Sequence, residues 1–154
     1  MKKITVLFLL LLLTGCSQAT SENKRLIDVL QSNSWSCTTS RCNIDRDGYS
    51  YEYNMKNNIY EIKTIYSETD LTDTDSFVRE EVMIDFEELK GEGTLTINVG
   101  ISDYTIEVTY NFLDSTTTCT DEDEVGCDTL ELFMEIYYDE MTAYFDIANY
   151  DSSN

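Results

Sequence analysis

From Tyr49 onward the chain alternates apolar and polar residues at a period of two. Tyr49, Tyr51, Tyr53 and Met55 are separated by Ser50, Glu52 and Asn54, and Val82, Ile84 and Phe86 by Met83 and Asp85. Leu95, Ile97, Val99 and Ile101 alternate with Thr96, Asn98 and Gly100; Tyr104, Ile106, Val108, Tyr110 and Phe112 alternate with Thr105, Glu107, Thr109 and Asn111. An extended backbone sends successive side chains to opposite faces. Such runs therefore describe strands with one buried and one wet face, as in antiparallel sheets. The same rule extends to Leu130, Leu132, Met134, Ile136 and Tyr138, which alternate with Glu131, Phe133, Glu135 and Tyr137.

Short polar connections at 56–58 (KNN), 90–93 (KGEG), 102–103 (SD) and 139–140 (DE) read as hairpin turns, and successive hairpins make a meander. Two longer acidic links, 67–76 and 114–128, read as loops. The expectation is an all-β fold of about eight strands, at 35–40, 48–55, 59–66, 77–88, 94–101, 104–113, 129–138 and 142–149, with one short helix before them at 22–31. Residues 25–150 form a single β domain and 151–154 a tail. A sheet with one apolar face must hide it by closing into a barrel or by curving strongly over itself.

The entry into these strands, a short helix followed by Asn33-Ser34-Trp35, is similar to the start of lipocalin-type barrels, whose first strand carries Gly-x-Trp. Asn33 stands where that family has glycine. Ser102-Asp103-Tyr104 is similar to the family's Thr-Asp-Tyr motif but comes one connection early, and the last strand has no arginine. The resemblance implies an architecture and no ligand.

Lys2 and Lys3, the apolar run Ile4–Leu13 and the small residues after it have the form of a secretory signal. Ten residues reach about 15 Å as a helix, roughly half a bilayer core, so the run is too short to span. Leu13-Thr14-Gly15-Cys16 resembles the lipobox of bacterial lipoproteins. That resemblance implies that residues 1–15 are removed, that the Cys16 sulfur carries a diacylglyceryl group, and that residues 16–24 are a polar tether. Two or more acyl chains hold a protein at a membrane stably, where one does not. The expected location is the cell membrane or, because Ser17 rather than Asp follows the cysteine, an outer membrane, facing away from the cytoplasm. With Cys16 lipidated, Cys37, Cys42, Cys119 and Cys127 remain. An even number in an exported chain suggests two disulfides, and of the three possible connectivities the local pairs Cys37–Cys42 and Cys119–Cys127 are preferred.

The formal charge of −20 argues against nucleic acid and anionic headgroups as partners and is compatible with a basic protein. The absence of histidine removes Ser-His and Cys-His nucleophiles and imidazole metal ligands. Asn43, Asp45, Asp47 and Gly48 imitate the start of an EF-hand loop, but the twelfth position is Asn54 rather than glutamate, so at most a weak calcium module is implied and an Asp-Gly turn explains the same residues. Clustered carboxylates at Glu68, Asp70, Asp73 and Asp75 and at Asp121–Glu124 read as solvated loops. Eleven tyrosines are many for this length. Tyr49, Tyr51 and Tyr53 share one strand face and Tyr104 and Tyr110 another, and together they are the candidate lining of a site for a small apolar ligand. The reading is a non-catalytic binding module without cofactor or metal, anchored to a membrane by lipid. Its partner is a small apolar molecule or, alternatively, a protein met through acidic loops in an interaction or structural role.

Overall fold

The computed structural model describes residues 21–65, 76–99, 102–120 and 124–150. Helix α1 (Ser21–Ser32) leads into strands β1 (Ser36–Cys37), β2 (Arg41–Arg46), β3 (Tyr49–Asn54), β4 (Ile59–Thr64), β5 (Ser76–Asp85), β6 (Lys90–Val99), β7 (Ser102–Asn111) and β8 (Thr116–Cys119), and helix α2 (Glu124–Tyr150) ends the domain. The strands form one eight-stranded antiparallel sheet in the order β1 to β8, so each pairs only with its neighbours in sequence. The expected meander and its leading helix are therefore present. The barrel alternative is not: among the described residues β1 and β8 do not pair, and the sheet is a curved, open one.

Closure is unnecessary because α2 covers the concave face. The expected strands at 129–138 and 142–149, and the turn at 139–140, are instead parts of this single 27-residue helix. Cys127, Leu130, Met134, Tyr137, Met141 and Ala148, spaced as one side of a helix, are its buried residues. The expected loop 114–128 holds β8 and the first turn of α2. The expected first two strands are divided differently, into β1, β2 and β3. Residues 21–24, expected in the tether, form the first turn of α1. The signal at 1–15, Cys16, the tether to residue 20, the acidic residues Glu68 to Asp75 and Asp121 to Asp123, and the tail 151–154 lie outside the described residues.

Turn chemistry explains the register. Arg46 pairs with Tyr49 across Asp47 and Gly48, both at positive φ (53° and 82°), the type I′ geometry that matches strand twist. At the opposite end of the sheet three four-residue loops share one design, joining Asn54 to Ile59, Asp85 to Lys90 and Asn111 to Thr116. Each follows a strand-ending Asn or Asp whose Oδ1 accepts a backbone N–H two residues on, from Lys56, Glu87 and Leu113 respectively. Each ends on a residue in the left-handed region: Asn58, Leu89 and Ser115. The second of these turns is thus at 86–89, and the glycines of KGEG are strand residues. Their role is to admit α2: a Cβ on Gly91 would lie 2.6 Å from Met134 Sδ, and one on Gly93 would lie 3.3 Å from Leu130 Cδ2.

The motif Asn33-Ser34-Trp35 is the C-terminal cap of α1. Ser34 takes φ 72°, its N–H donates to the Gln31 carbonyl, and the Trp35 N–H donates back to the Leu30 carbonyl. This is the Schellman pattern, and Leu30 and Trp35 are both buried in the core. Both predicted disulfides are present. Cys37–Cys42 links a directly paired position of β1 and β2, and Cys119–Cys127 ties the end of β8 to the first turn of α2.

Candidate functional site

The tyrosines predicted to line a cavity do share the concave face, and α2 lies on top of them. Tyr51, Tyr53 and Tyr110 are buried at 5%, 3% and 3% exposure, whereas Tyr104 is 45% exposed and Tyr49 is intermediate. Tyr51 meets Tyr137 of α2 edge-to-face at 5.9 Å between ring centroids, and Tyr53 meets Phe145 at 5.5 Å. The Tyr110 hydroxyl donates to Glu135 Oε1 at 2.7 Å. Beneath the C-terminal half of the helix, the first residues of two of the repeated loops, Phe86 and Phe112, stack on Tyr138 at 5.2 and 4.2 Å. These contacts make the tyrosine face a packed core, in which each ring pair adds about 0.5–1.5 kcal/mol beyond its buried area.

One seam of that core is polar. The Arg46 guanidinium lies 4.5 Å from the centre of the Tyr51 ring and is paired with Glu140 of α2. Burial works against the charge on Arg46, but the Glu140 hydrogen bond and charge outweigh it, and its pKa is raised. Tyr60, fully buried beside this pair, is held protonated first by burial and then by the Glu140 charge. Further along the same face, the Tyr49 hydroxyl is 3.3 Å from Glu80 Oε2, while Glu80 Oε1 is buried without a partner among the described residues. Burial pushes the Glu80 carboxyl above its ordinary value, against the pull of Tyr49. The Glu140–Arg46 pair joins α2 to the end of β2 and so clamps the helix to the sheet, while Tyr49 and Glu80 meet within the sheet.

A cleft lies beside the core. Leu26 of α1, Tyr53, Asn58, Phe86 and Phe145 line a space of about 320 Å³ between the two helices and the β3–β4 loop. Burial has pushed the Tyr53 hydroxyl up to about 12, and that hydroxyl donates to Asn58 Oδ1 at 3.1 Å. Among the proposed calcium ligands, Asn43 and Asp45 belong to β2 and Asp47 to its turn. An extended strand cannot wrap oxygens around one ion as an EF-hand loop does. Among the described residues no group of three or more acidic or cysteine side chains converges.

The surface that sequence reasoning missed is the outward side of α2. Val125 (72% exposed), Leu132 (53%), Ile136 (50%), Ile147 (50%) and Tyr150 (69%) recur at helical spacing opposite the buried row, with exposed Ala143 among them. Asp128, Glu135, Asp139 and Asp146, all exposed, each follow a stripe residue by three positions and so form an acidic row beside it. The helix contains no lysine or arginine. A helical rather than a two-residue period over 125–150 is the signal that finds this face. Comparison with known proteins gives no matching family model, no matching curated protein and no matching solved structure.

Proposed function

We propose that the protein is a non-catalytic interaction module, anchored by lipid at Cys16 and facing away from the cytoplasm, which acts by binding another protein. The observation that carries this reading is the seating of α2 on the concave face. Tyr51 and Tyr53, which would have lined a ligand cavity, are spent on packing against Tyr137 and Phe145, and a row of exposed apolar residues lies on the outside of the helix. Two disulfides suit an oxidising compartment. The charge of −20 favours a basic partner over nucleic acid or an anionic membrane surface.

A second reading, binding of a small apolar molecule, draws on the cleft of about 320 Å³ beside Tyr53 and Phe145, which is near the lower size of ligand pockets. Native mass spectrometry of the full protein, extracted from its own membrane, separates the two. The expected result is a chain beginning at Cys16 with acyl mass attached, bound to a protein and carrying no small molecule. A retained small molecule that is lost in Ala148→Trp, which fills the cleft, would reverse the order of the readings.

A further inference from the structure

The outward face of α2 is specific in its chemistry. Its apolar residues at 125, 132, 136, 143, 147 and 150 are separated by seven, four, seven, four and three positions, the spacing that packs one helix along another. The row runs about 37 Å at 1.5 Å per residue. Carboxylates line one edge over most of that length, at Asp128, Asp139 and Asp146 and at Glu135, which also accepts the Tyr110 hydroxyl, while on the other flank Glu140 is already taken by Arg46.

From these observations we infer that this face is the docking site for a basic amphipathic α-helix of a partner protein, with apolar residues against the stripe and Lys or Arg against the carboxylate row. The inference rests on the reading of the protein as an interaction module and names the surface and the partner chemistry. Charge decides between occupants. A second copy of α2, in either orientation, brings apolar residues to the stripe but no cation to the carboxylates, because the helix has none. An anionic lipid surface would be repelled by the same row. A basic helix satisfies both features, since apolar contact supplies affinity while opposite charge fixes register and speeds encounter.

The test uses the disulfide-bonded protein and a fluorescent peptide of about 25 residues, long enough to match the stripe. The peptide carries leucine and isoleucine at heptad a and d positions and lysine at the flanking positions; its controls are a scrambled peptide of the same composition and a glutamate-for-lysine twin. Binding is read by anisotropy at two salt concentrations. Expected is binding of the basic peptide at least about tenfold tighter than of either control. Leu132→Asn with Ile136→Asn should weaken it about tenfold at both salts, and Asp128→Asn with Asp139→Asn and Asp146→Asn should weaken it chiefly at low salt. Thermal melts of both variants, expected close to wild type because the residues are exposed, show that they fold.

Equal binding of the scrambled peptide would overturn the proposal, as would variants that bind like wild type. A protein dimer in sedimentation equilibrium that Leu132→Asn abolishes would overturn it in favour of a second copy. Binding to phosphatidylcholine vesicles lost in the same variant would overturn it in favour of lipid. Should the native-membrane partner persist on Leu132→Asn with Ile136→Asn, the face is wrong while the interaction-module reading stands; if no partner is found with wild type either, that reading falls as well.

Discussion

Met134 is fully buried and its sulfur rests over the bare backbone of Gly91, which makes the pair a direct test of where α2 sits on the sheet. A methyl group on Gly91 would lie 2.6 Å from Met134 Sδ, far inside van der Waals contact, and 3.3 Å from Phe112 Cε2. Gly91→Ala in the native protein must therefore push Met134 off its rotamer. That costs about 1–2 kcal/mol, partly offset by the roughly 0.4–1 kcal/mol gained from a stiffer unfolded chain, for a net loss near about 1 kcal/mol. Met134→Ala alone should cost about 3 kcal/mol through lost burial and the void it leaves. In that second background the obstructing sulfur is gone, and Gly91→Ala should now stabilise by roughly 0.5 kcal/mol, because its methyl enters the void. The sign of one substitution thus reverses with the state of a residue 43 positions away in sequence. The coupling of about 1.5 kcal/mol lies well above the roughly 0.3–0.5 kcal/mol scatter of independent sites. Urea unfolding of the disulfide-intact domain, followed by the fluorescence of Trp35, measures all four corners of the cycle. If Gly91→Ala has the same effect in both backgrounds, Met134 does not sit on Gly91 and the packing of α2 on β6 is wrong.

Three further outcomes are expected. Glu80 is held above its ordinary value of 4.5 by burial, so the native state takes up its proton more readily than the unfolded chain; stability from this group is complete below that value and is lost as pH rises through the native pKa. Glu80→Gln should consequently gain on wild type in melting temperature between about pH 4 and about pH 8, and a constant difference across that range would contradict the burial argument. Replacing Cys119 and Cys127 together by alanine should cost about 2.5 kcal/mol, the entropy of the short loop they close, and non-reducing peptide maps of wild type should show Cys37 with Cys42 and Cys119 with Cys127. Cys16→Ala should abolish labelling by a fatty-acid analogue and release the protein from the membrane; labelling equal to wild type would remove the lipid anchor from the proposed function.

The sheet could be read from its residues because in β3 to β7 the two faces differ in chemistry. Tyr51, Tyr53, Ile106 and Val108 point inward between polar neighbours, and the resulting period of two is that of a half-buried strand. The same rule failed over 130–138 for a physical reason. A helix with two apolar sides, one carrying Leu130 and Met134 and the other Leu132 and Ile136, places apolar residues at every second position just as a strand does. What distinguished the cases was the absence of a turn: Asp139-Glu140 has neither glycine nor a residue at positive φ, whereas Asp47-Gly48 has both. KGEG was misplaced by the opposite confusion, since Gly91 and Gly93 serve the close approach of a helix and not a reversal of the chain. The tyrosine face was legible; its cover was not, and with the cover went the outward stripe that forms the proposed docking surface.

Every pairing in the sheet joins strands adjacent in sequence, so the meander can assemble hairpin by hairpin with little entropy lost to loop closure. The piece that finishes the core is made last. Until residues 124–150 arrive, the face bearing Tyr51, Tyr60, Ile62, Ile84 and Val108 is a broad apolar surface open to any other chain. The link from Cys119 to Cys127 holds the start of the helix at the edge strand it must leave, which shortens its search for that surface once the bond has formed. A chain stopped before α2 would be an uncovered sheet with an aggregation-prone face, and quality control in the cell would meet that form whenever synthesis or export is interrupted.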